Sequence, residues 1–346
     1  MTDARSFFGI ELPIVQAPMA GVQLSPLAIA VSNAGGLGSV PCAMLNAESL
    51  RKELEAVKAK TSKPYNVNFF CHVPPVPDAG REAAWRKQLG PLYKELGIDA
   101  DKIPSGPGRA PFDAAMAEVL AEFKPPVVSF HFGLPAPELM KKVKALGSKI
   151  LSSATTVEEA RWLEAHGVDA VIAQGVEAGG HRGIFLSDDL TTQLGTFALV
   201  PQVVKAVKIP VIAAGGIADA KGVAAVLSMG AIAAQVGTSY LLCNEATTSA
   251  VHRKALKSPS TEHTVLTNLF TGRPARGMVN RVIREMGAIN SAAPEFPLAT
   301  AAITPLRQKA EAAGSGEFSP LWSGQNASGC REIGAAEMTR ALAGKA

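Results

Sequence analysis

Cysteine is scarce in this chain and never paired. Cys42, Cys71, Cys243 and Cys330 are scattered, with no C-x-x-C spacing anywhere. A zinc ribbon or a thioredoxin-like motif is therefore not expected, no metal site is implied, and reduced thiols in a cytoplasmic protein are the simplest reading. A dominant charge is missing too. The 346 residues carry a formal net charge of +4, without a lysine and arginine block, so no nucleic acid partner is implied. No long apolar run is present: the stretch 24–45 is broken by Ser, Asn, Pro and Gly and reads as core, not as a membrane span. The opening residues, MTDARSFFGIELP, lack the basic flank and apolar segment of a signal peptide. Tyrosine is limited to Tyr65, Tyr93 and Tyr240.

What is present is a globular composition, 47% hydrophobic and 18% charged. Eight short apolar runs alternate with segments of helical period. The runs are 13–17, 36–40, 65–70, 127–132, 149–153, 169–174, 210–215 and 231–237. Continuously apolar runs suit parallel strands buried on both faces. The helical segments are 27–34, 48–60, 112–123, 136–147, 156–167, 199–208 and 220–230, with Thr155 or Thr156 as an N-cap. Eight such units predict an α/β TIM (β/α)8 barrel, with a doubly wound sheet as the rival. Two segments fall outside the repeat: a Pro- and Gly-rich insertion, 71–111, and the section 244–330. Both leave the C-terminal face and predict a smaller, mostly helical cap or lid, with SGPGRAPF at 105–112 as its hinge. The expected division is a barrel over 1–243, a cap and substrate domain over 244–330, and a C-terminal helix or tail over 331–346.

Glycines crowd the ends of the later runs: QGVEAGGHRG at 174–183, AAGGIAD at 213–219 and QVGTSYL at 235–241. Gly215–Gly216 and Gly237–Thr238 fall where barrels often bind phosphate, because glycines let backbone N–H groups approach an anion. Tight turns with no ligand are the alternative. Neither a Rossmann fingerprint nor a P-loop is present. A barrel-bound FMN fits this pattern, with Asn68, Gln174 and Gln235 placed for its ring edge or ribityl chain. Each amide reads equally as a capping or turn side chain.

In this order, VQAPMAG, YNVNFF, VVSFHFGLP, QGVEAGGHRG, PVIAAGGIAD and QVGTSYL closely resemble the nitronate monooxygenase family, formerly 2-nitropropane dioxygenases. The resemblance runs from about residue 9 to 330, including LWSGQNA at 321–327, and VVSFHFGLP points to the bacterial class I branch. It implies a TIM barrel with a smaller helical domain, non-covalent FMN, no metal, and O2-dependent oxidation of alkyl nitronates such as propionate 3-nitronate through a flavin semiquinone, a detoxification. It places FMN contacts on Asn68, Gln174, Gly179, Gly216 and Gln235, Val236, Gly237 and Thr238. Gly180 and Gly215 adjoin them, and Met19 lies under the ring. It makes His181 the catalytic histidine, acting as a base or, protonated, holding the anionic nitronate.

His131, at the end of the fourth run, reads either as a second catalytic group that positions substrate or flavin, or as a hydrogen-bonded core histidine. Glu177 reads as an orienting acid for His181 or as a solvated loop carboxylate. His166 reads as a helix cap. Ser187 and Thr191 lie in the loop beyond His181, where they touch substrate in one reading. Phe296 and Phe318 suggest an apolar pocket favouring less polar substrates. The alternative activity is an FMN-dependent NAD(P)H reductase acting on quinones or enoyl-acyl-carrier-protein, for which the arginine-bearing stretch 273–285 is either an acidic-carrier patch or a solvated helix face. A ligand-binding barrel without chemistry is the third reading. The expected partners are a small nitronate and O2, with no membrane, in a monomer or homodimer.

Overall fold

A computed structural model describes residues 3–103 and 109–345. In chain order the strands are β1 (Ile14–Gln16), β2 (Gly38–Pro41), β3 (Tyr65–Phe70), β4 (Val127–His131), β5 (Lys149–Ala154), β6 (Ala170–Gln174), β7 (Gly180–His181), β8 (Val211–Ala214), β9 (Ala233–Val236), β10 (Thr264–Thr267) and β11 (Ala275–Met278). All but β7, β10 and β11 form one parallel sheet, in the spatial order β1-β9-β8-β6-β5-β4-β3-β2. Its ends meet. The Leu37 N–H donates to Ile14 O, and the Gln16 N–H to Leu37 O, both at 2.9 Å. The result is the TIM barrel expected from the eight runs, and the doubly wound alternative falls.

The apolar runs are continuous because both strand faces are buried. Successive side chains alternate between them. Val15, Val127, Leu151, Ile172, Ile212 and Ala233 pack with one another inside the barrel. Val128, Phe130, Ile150, Val171, Val211 and Ala213 face outward, in a cluster shared with the helices. The N-terminal helix Ala4–Phe8 adds Ala4 and Phe8 to the inner cluster, beside the first residues of the strands, so it plugs the N-terminal end.

Seven helices, 25–33, 47–60, 114–123, 137–145, 157–165, 196–206 and 220–228, lie between successive barrel strands. Local chemistry starts several of them. Asn46, Asp113, Thr156 and Asp219 each accept a backbone N–H of the first turn. Thr156 is thus the cap, while the Thr155 hydroxyl donates to the Glu159 carboxylate at 2.7 Å. His166 ends its helix as expected, with Nδ1 2.7 Å from Trp162 O and its ring stacked on the indole. At the C-terminus the structure has a helix, Ala335–Leu342, packed against helices 25–33 and 220–228. Met338 and Leu342 join the outer core there, and the Thr339 and Tyr240 hydroxyls are 2.9 Å apart.

The insertion after β3 is more ordered than its composition implies. Residues Ala79–Glu95 form a helix whose Trp85, Leu89, Leu92 and Tyr93 share a second apolar cluster with Leu269, Phe270, Ile283, Leu306 and Phe318. The Tyr93 hydroxyl donates to Ala302 O at 2.6 Å. Residues 105–108 of the expected hinge lie outside the described residues. The glycine-rich loop after β6 also departs from the sequence reading: Gly180–His181 is an edge strand, antiparallel to β11, which pairs in turn with β10. Among the described residues no helix is long and apolar enough to cross a membrane.

Candidate active site

Alternation along the strands decides which side chains reach the barrel mouth. Val127 faces inward on β4, so Ser129 and His131 do as well. By the same count Asn68 on β3, Ser153 on β5, Gln174 on β6, Ala214 on β8 and Gln235 on β9 form the inward ring nearest the C-terminal ends. These residues line one cavity together with Met19, Gly179, Gly180, His181, Gly215, Gly216, Val236, Gly237 and Thr238. His131, His181 and the residues expected to contact FMN are therefore brought to one place. The cavity opens at the C-terminal mouth of the barrel, where these strand ends and loops meet.

One wall is backbone. Gly215 and Gly216 have φ of 119° and 70°, a conformation side chains rarely adopt. Gly179 runs so close to the returning chain that a Cβ there would lie 2.5 Å from Gly324 N. The N–H groups of Gly216, Gly237 and Thr238 meet no backbone acceptor among the described residues. The Thr238 hydroxyl accepts from Gly324 N–H at 3.0 Å, which leaves its own proton free. Uncharged donors converging on a glycine cradle suit a phosphate. Gln235 adds a second sign of a missing ligand: its Oε1 is buried and has no partner. Such an orphan costs about 1–3 kcal/mol unless a ligand N–H or O–H meets it. The donor set and the orphan acceptor together fit a phosphorylated, hydrogen-bonding heterocycle such as FMN.

The opposite wall carries the histidines. On β7, His181 places its ring near Phe70, Phe132, Phe296 and Trp322, with centroids 5.4–6.0 Å away. Its Nε2 is 2.9 Å from the Thr271 hydroxyl, while Nδ1 has no partner among the described residues. Burial first, then the charges of Arg109, His131 and Arg273, push its pKa well below the ordinary value, so the ring is neutral near pH 7. His131 differs. Its Nδ1 lies 3.0 Å from Ser153 Oγ and its Nε2 3.2 Å from His181 O, so both nitrogens are engaged. Burial holds its pKa at about 3.

Gln174 also serves the loop. Its Nε2 donates to His181 O at 3.0 Å, and its Oε1 accepts the Gly183 N–H at 2.8 Å. Glu177 does not orient His181. Its carboxylate caps the helix at Thr196, accepting the Thr196 N–H at 2.9 Å and the hydroxyl at 2.8 Å. Ser187 and Thr191 instead bond to Asp189 in an exposed turn and do not line the cavity. Phe318 belongs to the second apolar cluster, whereas Phe296 stands beside His181. The arginines of 273–285 form no patch. Arg276 is buried with Nε donating to Val176 O, and Arg273 donates to Ile184 O. Arg281 and Arg284 are paired with Glu95, Glu285 and Glu317.

Several participants escaped the sequence reading. Arg182, fully buried, donates to Gln174 O and Gly175 O at 2.7 Å and to Gln193 Oε1 at 2.9 Å, clamping the loop ahead of His181. Its position inside QGVEAGGHRG was the only signal. Arg109, His252, Trp322 and Asn326 line the cavity as well. Thr271 reaches His181 across 90 residues, a pairing with no local signature.

Three comparisons bear on this arrangement. A protein-family model described as "Nitronate monooxygenase" matches residues 2–343. A nitronate monooxygenase of Pseudomonas aeruginosa is 43% identical over 345 residues, spanning 99% of this chain and 98% of its own. One of Paraburkholderia phytofirmans is 43% identical over 338 residues, 96% of this chain and 92% of its own. Among solved structures, a nitroalkane oxidase from Streptomyces ansochromogenes superposes with a TM-score of 0.87 at 40% identity, covering 97% of this chain and 96% of its own. FabK from Thermotoga maritima superposes at 0.74 with 30% identity, covering 100% and 96%.

Proposed function

The chain belongs to the nitronate monooxygenase family, and from that premise we propose that it binds FMN in the barrel mouth and oxidises small alkyl nitronates with O2. The observation that carries this reading is the pairing of two walls in one cavity: a glycine cradle with unspent N–H groups and, facing it, a neutral histidine held in a ring of aromatic side chains.

Gly215, Gly216, Gly237 and Thr238 would hold the phosphate, Asn68 and Gln235 would meet the polar edge or the ribityl chain, and Met19 would support the ring. FMN bound there supplies the electron acceptor for the nitronate and the donor for O2. Thr271 can donate to His181 Nε2 or accept from it, so it serves either neutral tautomer. With Nδ1–H, His181 donates to a nitronate oxygen. With Nδ1 bare, it can accept the α-proton of a neutral nitroalkane. Phe70, Phe132, Phe296 and Trp322 keep water from that ring, which preserves its neutral form. We assign His131 to positioning, since a ring with both nitrogens engaged has none left to exchange a proton with substrate. The second apolar cluster, built from 79–103 and 264–322, serves as the cap over the mouth.

A visible spectrum tests the proposal. The purified protein is expected to be yellow, to bleach when a preformed alkyl nitronate is added without air, to consume O2 in turnover, and to ignore NADH. Bleaching by NADH without a response to nitronate would assign the reductase activity instead. A protein that stays colourless after FMN is supplied would leave only the ligand-binding barrel.

A further inference from the structure

Arg182 is fully buried, yet among the described residues none of its hydrogen-bond partners is charged. Its Nη1 and Nη2 donate to Gly175 O and Gln174 O at 2.7 Å, and its Nε donates to Gln193 Oε1 at 2.9 Å. A buried cation is costly unless an anion answers it. Arg276, a like charge, acts on it, and so do two carboxylates, Glu177 and Glu159. Glu177 is spent on the helix at Thr196. Glu159 is reached by a continuous line of hydrogen bonds. Gln193 Nε2 donates to the Thr155 hydroxyl at 3.0 Å, and that hydroxyl donates to Glu159 Oε2 at 2.7 Å. Thr155 is fully buried and Glu159 is 1% exposed. Every bond in the line runs the same way, from guanidinium through amide and hydroxyl to carboxylate, so the dipoles reinforce one another. Closing the start of the helix accounts for one oxygen of Glu159 only, Oε2, which also takes the Thr155 N–H at 2.6 Å. The other, Oε1, accepts the Phe185 N–H at 2.6 Å and the Leu186 N–H at 3.3 Å, in the loop beyond His181.

We propose that Glu159, acting through Thr155 and Gln193, is the counter-charge of Arg182, and that this buried relay positions the cavity wall carrying Gln174 and His181 and sets the charge behind it. The inference rests on the proposed function for the group that feels that charge, a reducible cofactor. Arg182 follows His181 in the chain, and its guanidinium holds the carbonyls at the end of β6, where Gln174 lines the cavity. Gln174 in turn holds His181 O and the Gly183 N–H. The segment 182–193 is tied end to end by the Arg182–Gln193 bond and again at Phe185 by Glu159. Arg182, Gln193, Thr155 and Glu159 do not line the cavity, so all four are positioning residues. The two charges at the ends of the relay act on a cofactor in opposite senses. A reduced cofactor carries more negative charge than an oxidised one, so Arg182 favours the reduced form and Glu159 opposes it.

The test is a double-mutant cycle in the cofactor-loaded protein, with E159Q, R182M and E159Q/R182M, each first checked for cofactor content. In a spectroelectrochemical titration the midpoint potential of bound FMN is expected to rise in E159Q, to fall in R182M and to return close to the parent value in the double variant. A role in folding alone moves the potential the same way in both single variants, or in neither, and either result overturns the assignment. Melting temperatures of the cofactor-free proteins read the relay independently. Glu159 and Arg182 share no hydrogen bond, yet the double variant should lose less than the sum of the single losses, and additive losses overturn the relay. If R182M does not fold, Q193L takes its place in the melting cycle, since Gln193 bonds to Thr155 and not to Glu159. E159Q should then cost less in Q193L than in the parent, and an equal cost overturns the relay. If the protein takes up no flavin while the melting losses remain coupled, the proposed function fails and the relay stands.

Discussion

His131 meets His181 through the backbone and not through the ring: His131 Nε2 lies 3.2 Å from the His181 carbonyl oxygen, and its other nitrogen is 3.0 Å from Ser153 Oγ. Two histidines in one cavity therefore have different partners, and under the proposed function they are expected to do different work. In H181N, kcat on an alkyl nitronate is expected to fall about 10²-fold or more, with bound FMN per chain unchanged. In H131N the fall should be nearer tenfold and accompanied by a lower melting temperature. Oxygen-consumption kinetics beside thermal melts separate the two, and equal losses without destabilisation in H131N would return a chemical role to that ring.

Thr271 fixes the far nitrogen of His181 at 2.9 Å. T271V keeps the shape and removes the hydroxyl. We expect kcat to drop about tenfold and its pH dependence to shift, while T271S restores both. A T271V profile that superimposes on the parent one would remove Thr271 from the mechanism.

Gln235 Oε1 is buried without a donor. Replacing it with leucine removes an orphan acceptor from the cofactor-free protein and a partner from the loaded one. Q235L should thus melt higher than the parent without cofactor, by the equivalent of about 1 kcal/mol, and bind FMN about tenfold more weakly. Both readouts come from one FMN titration followed by fluorescence and melting. Unchanged FMN affinity would place the ligand elsewhere.

The histidines also predict an acid limit to stability. Burial holds His72 and His252 at about 4 and His131 at about 3, below the ordinary 6.5, and His181 also well below it. Between the unfolded and folded pKa values the unfolded chain binds more protons, so stability falls as pH drops below about 6.5 and keeps falling toward about 4. For a ring as buried as His131 the loss approaches about 1.4 kcal/mol per pH unit. Melting temperatures across pH 4–8 should show a plateau above neutrality and a decline below it. A flat profile would mean these rings gain protons without cost.

Much of the site was legible because it sits at strand ends. The parity of β3, β4, β6 and β9 places Asn68, His131, Gln174 and Gln235 on the inward face, and the glycine pairs mark the turns after them. Roles were less legible than positions. Glu177 stands four residues before His181 yet caps the helix at Thr196, because the carboxylate finds two donors there, the Thr196 N–H and hydroxyl. The insertion at 71–111 reads as part of a mostly helical cap, but its prolines and glycines did not locate the helix Ala79–Glu95, whose Trp85, Leu89 and Tyr93 are covered by Leu269 and Leu306.

Sequence alone determined the barrel, its eight strands and the glycine turns at its mouth, since burial on both faces imposes apolar runs and a left-handed φ requires residues that tolerate it. Tertiary structure alone decided that Gly180–His181 pairs as a strand with β11, that Thr271 holds His181, and that Arg109 reaches the cavity unpaired. Those facts depend on contacts between segments far apart in the chain, 90 residues for His181 and Thr271, formed only when the later segments pack onto the barrel. No local preference of the chain encodes them.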